Sequence, residues 1–492
     1  MLQLLETLAS YVPTLVIQRL HEYPTSLTRA SDQQFPAAVL FADVSGFSTL
    51  ADQLAQQGPK GAEELSSVLN QLFDELITFI TAIGGDVVTF AGDAILAIWP
   101  AHTEDLATVS LRAAQCALAL QIMLNDQRMI ARVPLAVRMG IGVGDVRVMY
   151  LGGVYSRWLW LITGDPLLQV ARAEQYAEPG QVVLSPQAWQ LVQDSCLGQP
   201  IDQLPLSQRG RGVGGEGLSN NQERHHHNPS PVMLRSVITP APLHLPAPLV
   251  PSPSIESALH SYIPGASLTR IGAGQGDWLA ELRRVTVLFI NLPDMQHIDM
   301  PLDQAQQMMC TIQTALYHYE ASVNKISFDE KGITVVAVLG LPPLTHEDDP
   351  TRGIQAAMAI QRELQQLTYL SNIGVTTGWA FCGELGSDHR REYTILGDVV
   401  NLAARLMKAA EHDHSILCDD ATYQTARSRM RFDTLEPITV KGKPDPIPVY
   451  RPCGETQEVS RTDHALVGRK DELTLIAVSL QSLVRDRKMR WW

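Results

Sequence analysis

Asp43 closes the apolar run Val39-Leu40-Phe41-Ala42, and Val44-Ser45-Gly46-Phe47-Ser48 leads from it into a helical pattern. Fifty residues on, Asp93 sits in a Gly92-Asp93 turn pair between two apolar runs. Carboxylates delivered from adjacent strand ends suit a hard divalent cation, which takes oxygen ligands. A helix N-terminus beside them offers free backbone N–H groups to phosphate oxygens. Singly, Asp43 also fits a helix cap and Asp93 an ordinary turn residue; together, beside a glycine-containing helix start, they fit a metal–triphosphate site. Further down the chain, Asn401 and Arg405 lie four apart and therefore share one helix face. On its own that pair also suits a solvated surface helix.

The elements that must position these residues follow from periodicity. AAVLFADV is a short β-branched strand, and residues 58–84 carry apolar positions at 65, 68, 69, 72, 73, 76, 77 and 80, a helical repeat. DVVTFAGDAILAIWP predicts a hairpin turning at Gly92-Asp93. Residues 103–124 predict a second amphipathic helix capped by Thr103, and VPLAVRMGIGVGDVRVMYL a further strand pair. That succession is the βαββαβ pattern of a ferredoxin-like α+β domain, with helices covering one face of an antiparallel sheet.

The pattern occurs twice. Val39–Asp43 recurs as Val287-Leu288-Phe289-Ile290-Asn291, Gly140–Gly144 as Gly374–Gly378, and Thr163-Gly164-Asp165 as Leu396-Gly397-Asp398. Between the copies, Pro205 to Pro253 holds nine prolines and five glycines, which predicts a linker without packed helix or strand. The GxGxxG string at 210–215 lacks the strand and helix a dinucleotide site needs, and Gly272, Gly274 and Gly276 make no better one. The chain thus divides into a helical lead-in (1–35), a first domain (36–203), a linker (204–282), a second domain (283–453) and a tail (454–492).

Composition bounds the function. The chain has 492 residues and a net charge of −14, which argues against a general nucleic-acid coat. No uninterrupted apolar run reaches the ~18–20 residues of a membrane helix. The start carries Glu6 and no basic region, unlike a signal peptide. Six cysteines without a CxxC pair predict reduced thiols and a cytoplasmic protein.

FADVSGFSTL with FAGDAILAIW resembles the metal-binding half of class III nucleotidyl cyclases, and EYTILGDVVNLAARLM resembles the complementary half. The tandem order, with YVPTLVIQRL ahead of the first strand, is similar to bicarbonate-responsive soluble adenylyl cyclases; the likeness covers about 36–200 and 283–452. It implies one composite site between the two copies, formed by intramolecular pairing in a monomer. Asp43, Asp93 and the Val44 carbonyl would hold two Mg2+ ions, with Mn2+ as a substitute, while Gly46, Phe47, Ser48, Arg138 and Lys441 would meet the phosphates. In the second copy, Asn291 has replaced the first aspartate, and Phe328–Gly332 stands where Gly-Asp-Ala would be. That copy would instead supply Lys325 and Thr394 to adenine, Asn401 to the ribose, and Arg405 to the charge developing at the α-phosphate. The activity implied is conversion of ATP to cyclic AMP and pyrophosphate. A catalytically silent nucleotide-binding module and a guanylyl cyclase are the alternatives.

The resemblance further implies a degenerate second pocket at Thr89, Arg172 and Phe328. Soluble adenylyl cyclases hold bicarbonate there with a lysine and an arginine. Here Thr89 stands at the lysine position and Ala171 at the arginine position, with Arg172 one step along, departures that point away from bicarbonate and leave room for another small effector. Leu466–Leu473 looks like the opening of a signalling P-loop ATPase module, with no GxxxxGK[ST] after it.

Overall fold

The computed structural model describes residues 2–23, 28–45, 50, 54, 59–125, 129–130, 133–201, 230–242, 251–272, 281–296, 300–440 and 445–456. Two short helices, α1 (Leu2–Ala9) and α2 (Thr14–Glu22), precede the first sheet. The first copy then runs β1 (Ser31–Ser45), α3 (Pro59–Ala82), β2 (Asp86–Ala91), β3 (Ala94–Pro100), α4 (Leu106–Asn125), β4 (Ala136–Val154), β5 (Arg157–Thr163), α5 (Asp165–Tyr176), β6 (Val182–Leu184), α6 (Pro186–Val192), β7 (Cys196–Pro200) and β8 (Val232–Val237). Helices α7 (Glu256–Leu259) and α8 (Gly265–Gly272) lead to the second. That copy comprises β9 (Glu281–Leu292), α9 (Leu302–His318), β10 (Ser322–Asp329), β11 (Gly332–Leu339), α10 (Asp349–Gln366), β12 (Asn372–Gly386), β13 (Arg391–Leu396), α11 (Asp398–Ala409), β14 (Ile416–Asp419), α12 (Asp420–Ala426), β15 (Met430–Thr434) and β16 (Val449–Glu455).

The sheets share one strand order: β2-β3-β1-β4-β6-β8-β7 with β5 on β4, and β10-β11-β9-β12-β14-β16-β15 with β13 on β12. The first four strands of each follow the ferredoxin-like order expected of βαββαβ. Helix α3 buries Leu65, Leu69, Leu72, Phe73, Leu76, Ile77 and Ile80, the stripe its periodicity predicted. Helix α4 is long and apolar enough to cross a membrane by length and composition (106–124, mean hydropathy 1.4), but half of that stretch is buried and it packs on β1, β4 and α6.

Three local expectations change. Helix α4 starts at Leu106, and Asp105 caps it, accepting from the Thr108 N–H at 2.8 Å and the Thr108 hydroxyl at 2.9 Å; Thr103 stands too far upstream. Residues 136–154 are one long strand, whose hairpin partner β5 lies beyond them. The segment expected to lack packed elements contributes β8 to the first sheet, paired with both β6 and β7, with Val232 and Leu234 buried. Ile255, Ala258, Leu259 and Ile263 further on join the main core. Apolar alternation over six residues suffices for a strand, and the flanking prolines mask it in a composition count. His225–His227 and the tail motif 466–473 lie outside the described residues.

Candidate active site at the junction of the two copies

Asp43 lies near the end of β1, opposite Ala94 of β3 on one side and Arg138 of β4 on the other. The Gly92-Asp93 turn joins β2 to β3, with Gly92 at φ +69°, a conformation that costs glycine nothing. The Val44 N–H donates to the Asp93 carbonyl at 3.3 Å, so the turn is tied to the strand that carries Asp43. The Asp93 carboxyl is pushed up to about 7, first by burial and then by the charge of Asp43, with Arg138 opposing.

Arg138 occupies a place the sequence did not foresee. Its Nε donates to the Asp43 carboxylate at 3.1 Å, its Nη2 also contacts that carboxylate, and the same Nη2 lies 2.8 Å from Glu174 of α5. Glu174 itself was not singled out in the sequence; its position on the face of α5 that looks at β4 is the signal. Two partly buried carboxylates that repel each other, one balanced by a single guanidinium, fit a divalent cation. Among the described residues no group of three or more His, Cys, Asp or Glu is placed to hold a metal ion by itself, so water, backbone and nucleotide oxygens would complete such a sphere.

The second copy shows what happens at the same register without that chemistry. Asn291 faces Asn372 across β9–β12 as Asp43 faces Arg138 across β1–β4. The Asn291 amide donates to the Lys331 carbonyl at 3.0 Å, and its oxygen accepts from Asn372 at 3.0 Å. A neutral network has filled the place of a charged one. The β10–β11 hairpin also runs on for two pairs, Phe328–Ile333 and Asp329–Gly332, beyond the point where β2 turns. Phe328–Gly332 is therefore an extension of the hairpin, not a degraded Gly-Asp-Ala turn.

Lys325 and Thr89 hold the same position in their copies: each follows a bulge, Val323/Lys325 in β10 and Val87/Thr89 in β2. Burial lowers the Lys325 pKa, Glu392 raises it, and Arg390 lowers it. Thr394 lies two residues beyond Glu392 on β13, and the Asn324 amide donates to the Tyr393 carbonyl at 3.0 Å, which brings β10 and β13 together. Asn401 and Arg405 project from α11 on the side opposite Val399, Leu402, Ala403 and Leu406, which bury against β12. Neither side chain has a partner among the described residues. Gly46, Phe47, Ser48 and Lys441 lie outside the described residues.

Residues 30–212 and again 280–451, together well over half the chain, match the adenylate and guanylate cyclase catalytic domain. The chain belongs to that family. Adenylate cyclase type 10 of Homo sapiens is 27% identical over 511 residues, covering 97% of this chain and 30% of its own length. The Rattus norvegicus protein of that name is 27% identical over 475 residues, 92% of this chain and 28% of its own. The chain thus spans less than a third of the length of these curated relatives. Among solved structures, the adenylyl cyclase CyaB from P. aeruginosa aligns over 37% of this chain and 100% of its own, at 21% identity and a TM-score of 0.34.

Within this chain the degenerate-pocket residues part company. Thr89 lines a cavity of about 460 Å³ between β5, β10 and residues 261–265, walled by Trp160, Tyr262 and Tyr317 and reached by Lys325. Arg172 is not on its wall; its Nε donates to Glu330 in the extended β10–β11 turn at 2.6 Å. Phe328 is buried in the core. All six cysteines are free thiols.

Proposed function

We propose that the chain is an adenylyl cyclase that forms 3′,5′-cyclic AMP and pyrophosphate from ATP at one composite site between its two copies. The observation that carries this reading is complementarity. The first copy keeps its carboxylates, Asp43 and Asp93, whereas the second has a neutral Asn291–Asn372 network there and presents Asn401 and Arg405, which have no side-chain partner among the described residues.

Asp43, Asp93 and the Val44 backbone would hold divalent ions, Mg2+ or Mn2+, which when bound supply positive charge at the 3′-hydroxyl and at the leaving pyrophosphate. Lys325 donates to an adenine ring nitrogen, and the Thr394 hydroxyl accepts from the exocyclic amine. Guanine, with an acceptor at O6 and donors at N1 and N2, would favour an acidic side chain instead. Asn401 orients the ribose, and Arg405 places a fixed guanidinium where charge accumulates on the α-phosphate. Arg138, Lys441 and the backbone of Gly46, Phe47 and Ser48 serve the phosphates. Arg138, which now pairs with Asp43, would be available to a phosphate oxygen where a divalent ion neutralised that carboxylate.

The cavity lined by Thr89 is the place for a small effector, and the chain works as a monomer in the cytoplasm, in keeping with its free thiols. One assay tests the reading: cyclic nucleotide formation by the purified chain with ATP and GTP in competition, with Mg2+ or Mn2+, and with and without bicarbonate. Formation of cyclic AMP supports it. Preferential cyclic GMP formation would make the chain a guanylyl cyclase. ATP binding with no product would make it a silent module.

A further inference from the structure

Strand β2 is an edge of the first sheet, so its outer N–H and C=O groups have no ladder partner in that sheet. The second copy supplies one with side chains. Arg390, just ahead of β13, is 4% exposed; its Nε donates to the Val87 carbonyl at 2.9 Å and its Nη2 to the Val88 carbonyl at 2.9 Å. Its Nη1 donates to the carbonyls of Arg391 at 2.6 Å and Tyr11 at 3.3 Å. Nη2 also pairs with Glu392, whose carboxylate accepts the Phe90 N–H at 3.4 Å. The bulge at Val87/Thr89 is where these outward carbonyls are taken up. Lys325 lines the same cavity as Glu392 and feels the charges of both Glu392 and Arg390.

The other half of the molecule shows that this arrangement is not a by-product of the fold. Asp165 and Asp398 open equivalent helices, and counting back from them sets Arg157 at the position of Arg390 and Leu159 at that of Glu392. Arg157 makes no such contact with the edge strand β10. It donates to the carbonyls of His260 at 2.8 Å and Ile263 at 3.0 Å, and the cavity described above lies between β5 and β10. The two sides differ in their side-chain keys: Arg390 and Glu392 bind the edge of β2, whereas β5 packs alongside β10 without such a key, and Val88, Thr89, Glu392 and Tyr393 line the same cavity as β5 and β10.

We propose that Arg390 and Glu392 are positioning residues that key the base-binding strand β13 of the second copy to the edge strand β2 of the first, setting the reach from Lys325 and Thr394 to Asp93. Glu392 is the hinge of this device, since it accepts from Phe90 on the strand that leads into the Asp93 turn and lines one cavity with the base-binding lysine. The assignment rests on the cyclase reading above. Misplacing two halves of a site by an ångström costs turnover far more than it costs nucleotide binding, which either half alone partly supports.

The test uses the full chain and three substitutions: Arg390→Lys, Glu392→Gln and, as the symmetric control, Arg157→Lys. Arg390→Lys should lower kcat at least about ten-fold with KM for ATP changed less than about three-fold, because placement rather than affinity is lost. Glu392→Gln should in addition lower the preference for ATP over GTP. Both should raise hydrogen exchange at residues 86–91, while Arg157→Lys leaves kcat and that exchange at parent values. Parent kcat and parent exchange in Arg390→Lys would overturn the proposal, as would an equal loss in Arg157→Lys. If Arg390→Lys does not fold, Glu392→Gln decides by the same readouts. If the parent chain turns over neither nucleotide, the cyclase reading fails, and exchange at residues 86–91 alone decides the keying.

Discussion

Arg138 donates to the Asp43 carboxylate directly across the β1–β4 ladder, Nε to oxygen at 3.1 Å, where the second copy sets Asn372 against Asn291. The guanidinium stands in for part of the positive charge that a divalent ion would bring. Removing it therefore exposes the electrostatics of the proposed metal site. Arg138→Met should cost about 1–3 kcal/mol of stability without metal, since it strands Asp43 and Glu174 half-buried. Millimolar Mg2+ should restore much of that loss. Thermal unfolding with and without Mg2+ checks it, and a variant as stable as the parent without metal would contradict the role given to the pair.

Asp93→Asn should abolish measurable turnover while keeping the fold. The substitution removes a buried charge that Asp43 repels, so stability of the metal-free chain should be unchanged or slightly higher. Circular dichroism, a melting curve and a cyclic AMP assay read the two effects separately. Turnover at the parent rate would show that Asp93 holds no metal.

The same residue sets a pH dependence. With its pKa near 7 in the folded chain, Asp93 carries a proton below that pH, and a cation must displace it. Mg2+ affinity should fall about ten-fold per pH unit below about 7 and level off above about 8. The sign for folding is the reverse: the native chain keeps a proton that the unfolded chain releases, so this group's contribution to metal-free stability declines as pH rises from about 4 to about 7. Calorimetric titrations at pH 6, 7 and 8 measure the first effect, and a flat affinity across them would refute it.

Base choice is assigned to Lys325 and Thr394. The double substitution Lys325→Glu with Thr394→Cys should lower kcat/KM for ATP about 10–100-fold, because a buried adenine contact is left unpaired. GTP turnover should rise relative to ATP. An unchanged ATP/GTP ratio would move the base site elsewhere.

Gly374 lets helix α11 lie directly on β12: a Cβ there would sit 2.1 Å from the Ala403 carbonyl. Gly140 stands in the same relation to Val170 in the first copy, at 2.4 Å. Gly374→Ala should cost about 1–3 kcal/mol by forcing α11 outward. It should also lower kcat through Arg405, which that helix carries. A variant with parent stability would mean that the helix shifts freely.

Much of this protein was legible along the chain. The two βαββαβ units, the strand ends that carry Asp43 and Asp93, and the helix face that carries Asn401 and Arg405 all follow from periodicity and turn residues. Those features are local: each depends on residues within a turn or a strand length. The partner of Arg138 and the key that Arg390 forms with Val87 and Val88 join residues 95 to 303 positions apart. No spacing rule reaches them, because a long cationic side chain can serve any carboxylate or carbonyl that packing brings near. Register decided the rest. The two extra pairs of the β10–β11 hairpin, and the addition of β8 to the first sheet from a proline-rich stretch, depend on which strand lies alongside. The sequence alone determined that the chain holds two copies of one domain that differ at Asp43 and Asn291; only the tertiary structure decided that Arg390 and Glu392 reach the edge of β2, because that depends on unpaired edge-strand groups finding side chains from the other copy.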